Sequence, residues 1–153
     1  MTLRADAGNW MRHLLETPDA IRALLERTRR VAVLGIKPET HADRPAFFVP
    51  EYVARAGFDV IPVPVYYPEV KEILGRPVYR RLADIPGPID LVDVFRRPEH
   101  VPQHLDDMLA AKPGAVWMQS GIWNDDVAEA LARAGIDVVQ NHCLMVELSR
   151  LGR

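Results

Sequence analysis

The segment Arg30-Val31-Ala32-Val33-Leu34-Gly35 constrains this chain more than any other, because an apolar, β-branched run ending on a single glycine reads as a buried strand that turns sharply into a loop. Runs of the same kind return downstream between segments of helical period. The spacing predicts strands over Val31–Leu34, Asp59–Val63, Ile89–Phe95, Ala115–Met118 and Ile136–Val139, with helices near Ala46–Ala56, Pro98–Ala111 and Asp125–Ala134. Strands that alternate with helices in this way define an α/β domain, a mainly parallel sheet covered by helices on both faces. Gly57 and Gly135 each follow an Ala-Arg-Ala segment and supply the left-handed residue that ends a helix before the next strand.

Ahead of this pattern, Thr17-Pro18-Asp19 opens a helix to about Thr28, with a capping hydroxyl, a proline in the first turn and a carboxylate near the positive dipole end. Its apolar residues Ile21, Leu24 and Leu25 share one side. Residues 1–29 therefore read as a helical extension packed on a main domain of residues 30–153. Pro50 falls inside the first crossover helix, where it removes a hydrogen bond. Between Pro64 and Pro88 the chain is rich in proline, and Leu74-Gly75 suggests a tight turn into a short extended piece.

With 153 residues the chain fits one domain. Its 19 basic and 21 acidic side chains leave a net charge of −2, so an anion must be captured by local geometry and nucleic acid is a disfavoured partner. Its one cysteine, Cys143, rules out an internal disulfide, no signal peptide is apparent, and no apolar run approaches the ~20 residues that span a bilayer. A cytoplasmic protein with no membrane segment is the expectation.

Ligands of open parallel sheets bind beyond the carboxyl ends of the strands, near the point where the strand order reverses. The residues to inspect are Gly35, Ile36 and Lys37 after the first strand and Pro64 and Val65 after the second. Phe95, Arg96 and Arg97 follow the next, then Gln119, Ser120 and Gly121, then Asn141, His142 and Cys143. A glycine elbow followed by a helix offers unpaired N–H groups to a phosphate, and is otherwise a simple turn. Lys37, His41 and Arg44 are either solvated loop cations or, as a cluster, additional charge for that anion. Trp117 reads as core, whereas Gln119 and the Ser120-Gly121 backbone are placed to meet a ligand's amides.

The loop lacks the Gly-x-Gly-x-x-Gly spacing of a dinucleotide site, and the second strand ends in Ile61-Pro62-Val63-Pro64, with no carboxylate for a ribose diol. Both observations argue against a dehydrogenase. Cys143 is either a reactive thiol at a helix start or a small buried residue. His100 and His104 stand at i, i+4 with no third ligand and read as a solvated helix face. No Gly-x-Ser-x-Gly elbow, Cys-x-x-Cys pair or Walker loop is present, and no metal set or catalytic set emerges.

Taken together, Val31-Ala32-Val33-Leu34-Gly35, Arg44-Pro45, Val60-Ile61-Pro62-Val63, Glu72-Ile73-Leu74-Gly75, Val92-Asp93-Val94-Phe95-Arg96, Val116-Trp117-Met118-Gln119-Ser120-Gly121 and Asn141-His142-Cys143 with Glu147 resemble the small stand-alone CoA-binding domain family. That family's fold is similar to the nucleotide-binding domain of the succinyl-CoA synthetase alpha subunit. The resemblance implies a Rossmann-like, doubly wound fold binding CoA or an acyl-CoA. Contacts would come from Gly35, Ile36, Lys37 and Arg44, the turn at Pro64, the strand end Phe95-Arg96, the segment Gln119-Ser120-Gly121, and Asn141. Two departures stand out. Relatives commonly carry Asn-Pro or Ser-Pro after the second strand, where this chain has Pro64-Val65-Tyr66-Tyr67-Pro68, and a small residue where it has Ile36.

The leading expectation is a CoA or acyl-CoA binding protein without chemistry of its own, either as a homodimer or with an unidentified protein partner. The alternatives are an NAD(P)-binding oxidoreductase or redox sensor, and a structural or interaction domain whose crevice is vestigial.

Overall fold

β1 (Arg30–Leu34), β2 (Asp59–Val63), β5 (Leu91–Val94), β6 (Ala115–Met118) and β7 (Asp137–Val139) form one five-stranded sheet in the order β2-β1-β5-β6-β7. All of its pairings are parallel. From β1 the chain steps outward to β2, then returns to place β5 on the other flank of β1. The strand order therefore reverses between the carboxyl ends of β1 and β5, the doubly wound, Rossmann-like arrangement. The computed structural model describes residues 8–153. Residues 1–7 of the expected N-terminal extension lie outside these.

Both faces of the sheet are covered, and the strands alternate between two apolar clusters. Val31 and Val33 of β1, with Leu91 and Trp117, face a cluster that takes in Ile21, Leu24 and Leu25 of α1 (Pro18–Glu26), Phe47 and Val53 of α2 (Pro45–Arg55), and Leu144 and Leu148 of α5 (Leu144–Arg150). Ala32 and Leu34, with Val92, Val94 and Met118, face Met108 of α3 (Leu105–Ala111) and Val127 and Leu131 of α4 (Asp125–Arg133). Each fully buried Leu or Ile contributes roughly 1.5–3 kcal/mol, so this two-sided burial is what makes the strands near-continuous apolar runs.

Three local features set the shape of the loops. Pro50, inside α2, cannot donate to the carbonyl of Ala46 one turn back, and the N–H of Lys37 takes that carbonyl at 3.1 Å. The loop after β1 is thereby tied to α2 by the gap the proline leaves. The helix expected over Pro98–Ala111 starts as a 3-10 helix, Pro98–His104, and becomes α-helical only from Leu105. Pro102 lacks the N–H that α-helical pairing would need there. Between Pro64 and Pro88 the antiparallel pair β3 (Glu72–Ile73) and β4 (Arg76–Pro77) is joined by Leu74 and Gly75, both at positive φ, which is the signature of a type I′ turn.

Candidate ligand cleft

A cleft of about 440 Å³ opens at the reversal point, lined by Gly35, Ile36, Lys37, Ala46, Val65, Tyr66, Tyr67, Phe95, Arg96, Arg97 and His100. Its floor is the crossing of the β1 and β5 loops. Gly35 sits there at φ +88, and a Cβ on it would lie 2.2 Å from the carbonyl oxygen of Phe95. The glycine is therefore demanded by the protein's own backbone, whatever the cleft holds. Its N–H donates to Val63 O at 2.9 Å, and that of Lys37 is committed to Ala46. The unpaired amides expected of a glycine elbow are thus engaged at both positions, because α2 begins only at Pro45 and Pro50 draws the Lys37 amide inward. What α2 offers the cleft is Ala46 in its first turn, after an Arg44 N-cap that makes no side-chain cap.

Side-chain cations carry the charge instead. Arg96 is only 9% exposed, yet among the described residues it has no ion-pair partner. Its Nε donates to Nε2 of His104 at 3.0 Å and its Nη1 to the hydroxyl of Tyr66 at 3.3 Å. The guanidinium also lies 5.3 Å from the centre of the Tyr66 ring. Hydrogen bonding to Arg96 and the charge of that residue lower the pKa of the Tyr66 phenol below its ordinary value. Burial, and then the Arg96 charge, lower that of His104. Lys37 Nζ donates to the Tyr67 hydroxyl at 3.4 Å, so each of two adjacent phenols meets one cleft cation.

Tyr66 and Tyr67 owe their position to Arg80. Its guanidinium donates to the carbonyls of Tyr66 at 3.1 Å, Tyr67 at 2.9 Å and Val70 at 2.7 Å, and holds Tyr67 at φ +63. A left-handed tyrosine costs about 1–3 kcal/mol, which these bonds offset.

Of the residues singled out in the sequence, Gly35, Ile36, Lys37, Phe95 and Arg96 line the cleft. Ile36 turns its side chain into the core cluster. Arg44 is exposed beside α2, and Pro64 is buried one residue before Val65, which does line the cleft. Gln119 is buried: its Nε2 donates to Asp93 Oδ1 at 2.6 Å, and its Oε1 accepts from the N–H of Leu144 at 3.3 Å. Its side chain thus links β5 to α5. Ser120 and Gly121 are exposed beyond β6, where the Gly121 N–H donates to Asn141 Oδ1 at 2.7 Å. None of Ser120, Gly121 and Asn141 lines the cleft.

Reading His100 and His104 as a solvated helix face needs correction. His104 is half-buried against Arg96, and His100 faces the cleft. The sequence signal was the proline at 102, which breaks α-helical pairing in this segment, so the i, i+4 spacing of an α-helix face does not apply to His100 and His104. The two tyrosines had no such signal, since their placement depends on a distant arginine.

A parallel sheet with a cation-lined cleft at its reversal point defines a doubly wound domain of the nucleotide-binding class. Residues 29–149 match the family described as CoA binding domain, and the chain belongs to that family. A Bacillus subtilis (strain 168) relative, the uncharacterized protein YneT, is 33% identical over 126 residues, 82% of this chain and 90% of its own. A Thermus thermophilus structure, designated cell-free ID.343, shares 40% identity with a TM-score of 0.80, covering 89% of this chain and 99% of its own. A hypothetical protein from Pyrococcus horikoshii OT3 shares 32% identity with a TM-score of 0.80, covering 90% and 94%. The dinucleotide-forming acetyl-coenzyme A synthetase 1 of Ca. Korarchaeum cryptofilum, in complex with phosphate and ADP, shares the fold alone. It is 18% identical, with a TM-score of 0.59, over 71% of this chain and 25% of its own.

Proposed function

We propose that this protein binds CoA or an acyl-CoA, with the ligand's phosphates seated in the cleft between the carboxyl ends of β1 and β5. The observation that carries this reading is Arg96, a buried guanidinium whose partners His104 and Tyr66 are both neutral groups. Holding a cation away from water without a carboxylate costs several kcal/mol, and an arriving phosphate supplies the missing charge. Lys37, Arg97 and His100 add donors along the same cleft, and the uncapped first turn of α2 adds its dipole.

Chemistry beyond binding is not required by these residues, and a carrier or sensor of the thioester pool accords with them. Among the described residues no helix is long and apolar enough to cross a membrane. The test is calorimetric titration of the purified protein with CoA and, separately, with NADH. Saturable binding of CoA with little or no heat from NADH is expected. Equal affinity for both, or heat from NADH alone, overturns the reading, as does failure of CoA to bind.

A further inference from the structure

Arg96 is described above as an anion seat, but a guanidinium on a flexible stem recognises phosphate well only if its plane is fixed. His104 is the group that fixes it. An arginine Nε can only donate, so the 3.0 Å contact requires His104 Nε2 to accept, and its ring proton must sit on Nδ1. The imidazole is half-buried in the 3-10 segment after β5, whereas Tyr66, which meets Arg96 through a different nitrogen, is exposed. With Nε held by His104 and Nη1 by Tyr66, the remaining guanidinium donors are left for a ligand.

We propose that His104 is a positioning residue for phosphate recognition in this cleft, and that it acts only as the neutral Nδ1–H tautomer. Protonation puts a second donor and a second cation against the guanidinium, which breaks the contact and frees Arg96 to leave the cleft wall. The groups around His104 are few. Arg96 faces it from the end of β5, His100 from its own 3-10 segment and Asp107 from α3, while Arg80, Arg81 and Asp106 border its outer side. Asp107 alone among those with a charge effect on His104 favours the proton, and its two carboxylate oxygens already accept the N–H groups of Leu82 and Ala83 at 2.7 and 3.0 Å. Burial and Arg96 oppose the proton, consistent with the lowered ionisation of His104.

The proposal rests on the CoA-binding reading, and the experiment separates the two. CoA affinity is measured by calorimetry at steps from pH 7.5 to pH 5.5 for the wild type, His104→Gln and His104→Leu, with circular dichroism to confirm folding. Gln offers a carbonyl acceptor that does not titrate; Leu offers none. His104→Leu is expected to bind about tenfold more weakly at pH 7.5, the loss of one hydrogen bond to a charged group, with His104→Gln close to wild type. As the pH falls towards 5.5, wild type is expected to lose affinity relative to His104→Gln, by less than about tenfold because the imidazole titrates below its ordinary value. Titration of the ligand's phosphates and of His100 is common to both proteins and cancels in that ratio. Parallel pH profiles for wild type and His104→Gln, or undiminished affinity in His104→Leu, overturn the positioning role while leaving CoA binding intact. Absence of CoA binding in all three proteins overturns the functional reading itself.

Discussion

The two ends of the sheet handle charge in opposite ways. At the amino end several basic groups meet carboxylates: Arg30 Nε lies 3.3 Å from Asp59, Arg76 pairs with the same carboxylate, and Arg27 lies 2.6 Å from Asp137, whose other oxygen lies 2.7 Å from Nδ1 of His13. Asp90 accepts the N–H groups of Arg29 and Arg30 at 2.9 Å each. At the carboxyl end Lys37, Arg96 and Arg97 gather around one cleft, and none of them is ion-paired among the described residues. Since both ends belong to the same short strands, overall charge cannot produce the difference. One end is neutralised by the protein's own carboxylates, and the other leaves its cations without such partners among the described residues.

The contrast breaks most readily at Arg96. Replacing it with methionine keeps much of the volume and removes the cation. CoA affinity, measured by calorimetry, is expected to fall about 10- to 100-fold, the value of a charge-assisted hydrogen bond. Stability is expected to hold or rise, because a buried guanidinium without a counter-ion carries a desolvation cost that methionine does not. A variant that melts substantially lower and still binds CoA would make Arg96 a structural residue and erase the distinction between the ends.

Gly35 bears on the same contrast through the fold, since structure and ligand both meet at one position. Gly35→Ala forces a Cβ to within 2.2 Å of a backbone oxygen at φ +88. A loss of roughly 2–4 kcal/mol is expected in urea unfolding, combining the left-handed penalty with displacement of the β5 loop. A loss of CoA affinity at full stability would instead mean that the glycine serves only the ligand.

How much of this was legible beforehand follows from the range of the interactions. The β-branched runs and the helix-period segments gave the strands and helices within a few residues, because each carries its burial pattern in its own spacing. Phe95 and Arg96 could be placed at the cleft because a strand end fixes its position. Gln119 also follows a strand but points inward to Asp93 and α5, because facing is decided by tertiary partners that strand position alone does not reveal. Tyr66, Tyr67 and His104 were out of reach for a similar reason. Their geometry depends on Arg80 and Arg96, which the sequence does not mark as their partners.

Asp93 tests a different side of the contrast, since it is a carboxylate at the carboxyl end that pairs with no cation. It is fully buried, accepts one bond from Gln119, and has no partner for Oδ2. Burial pushes its pKa up to about 7 from 3.8. A group raised on folding contributes stability that is complete below the unfolded value and lost as pH rises through the folded one. Wild-type stability is therefore expected to decline between about pH 4 and pH 7 through this residue. Asp93→Asn, which cannot ionise, is expected to flatten that decline and to be about 1–3 kcal/mol more stable than wild type at pH 8, its own unpaired N–H group limiting the gain. Equal pH profiles for the two proteins in thermal melts would show that Asp93 keeps an ordinary ionisation, and that its buried oxygen is hydrated or otherwise paired.

The smallest effect belongs to the satisfied end. Hydrogen bonding to Arg76, aided by its charge and by Arg30, holds the Asp59 carboxyl below 3.8. Such a group stabilises the fold above its unfolded value, and the contribution disappears as the pH falls through the lower, folded one. Its side chain is 40% exposed, however, and solvent screens most of the attraction. Asp59→Asn is accordingly expected to cost only about 0.5 kcal/mol at pH 7, to match wild type near pH 2, and to leave CoA affinity unchanged. The neutral result for binding is the informative one. Asp59 lies at the far end of β2 from the cleft, so a shift in affinity would mean that the sheet transmits charge from one end to the other, and the two ends could no longer be treated as independent.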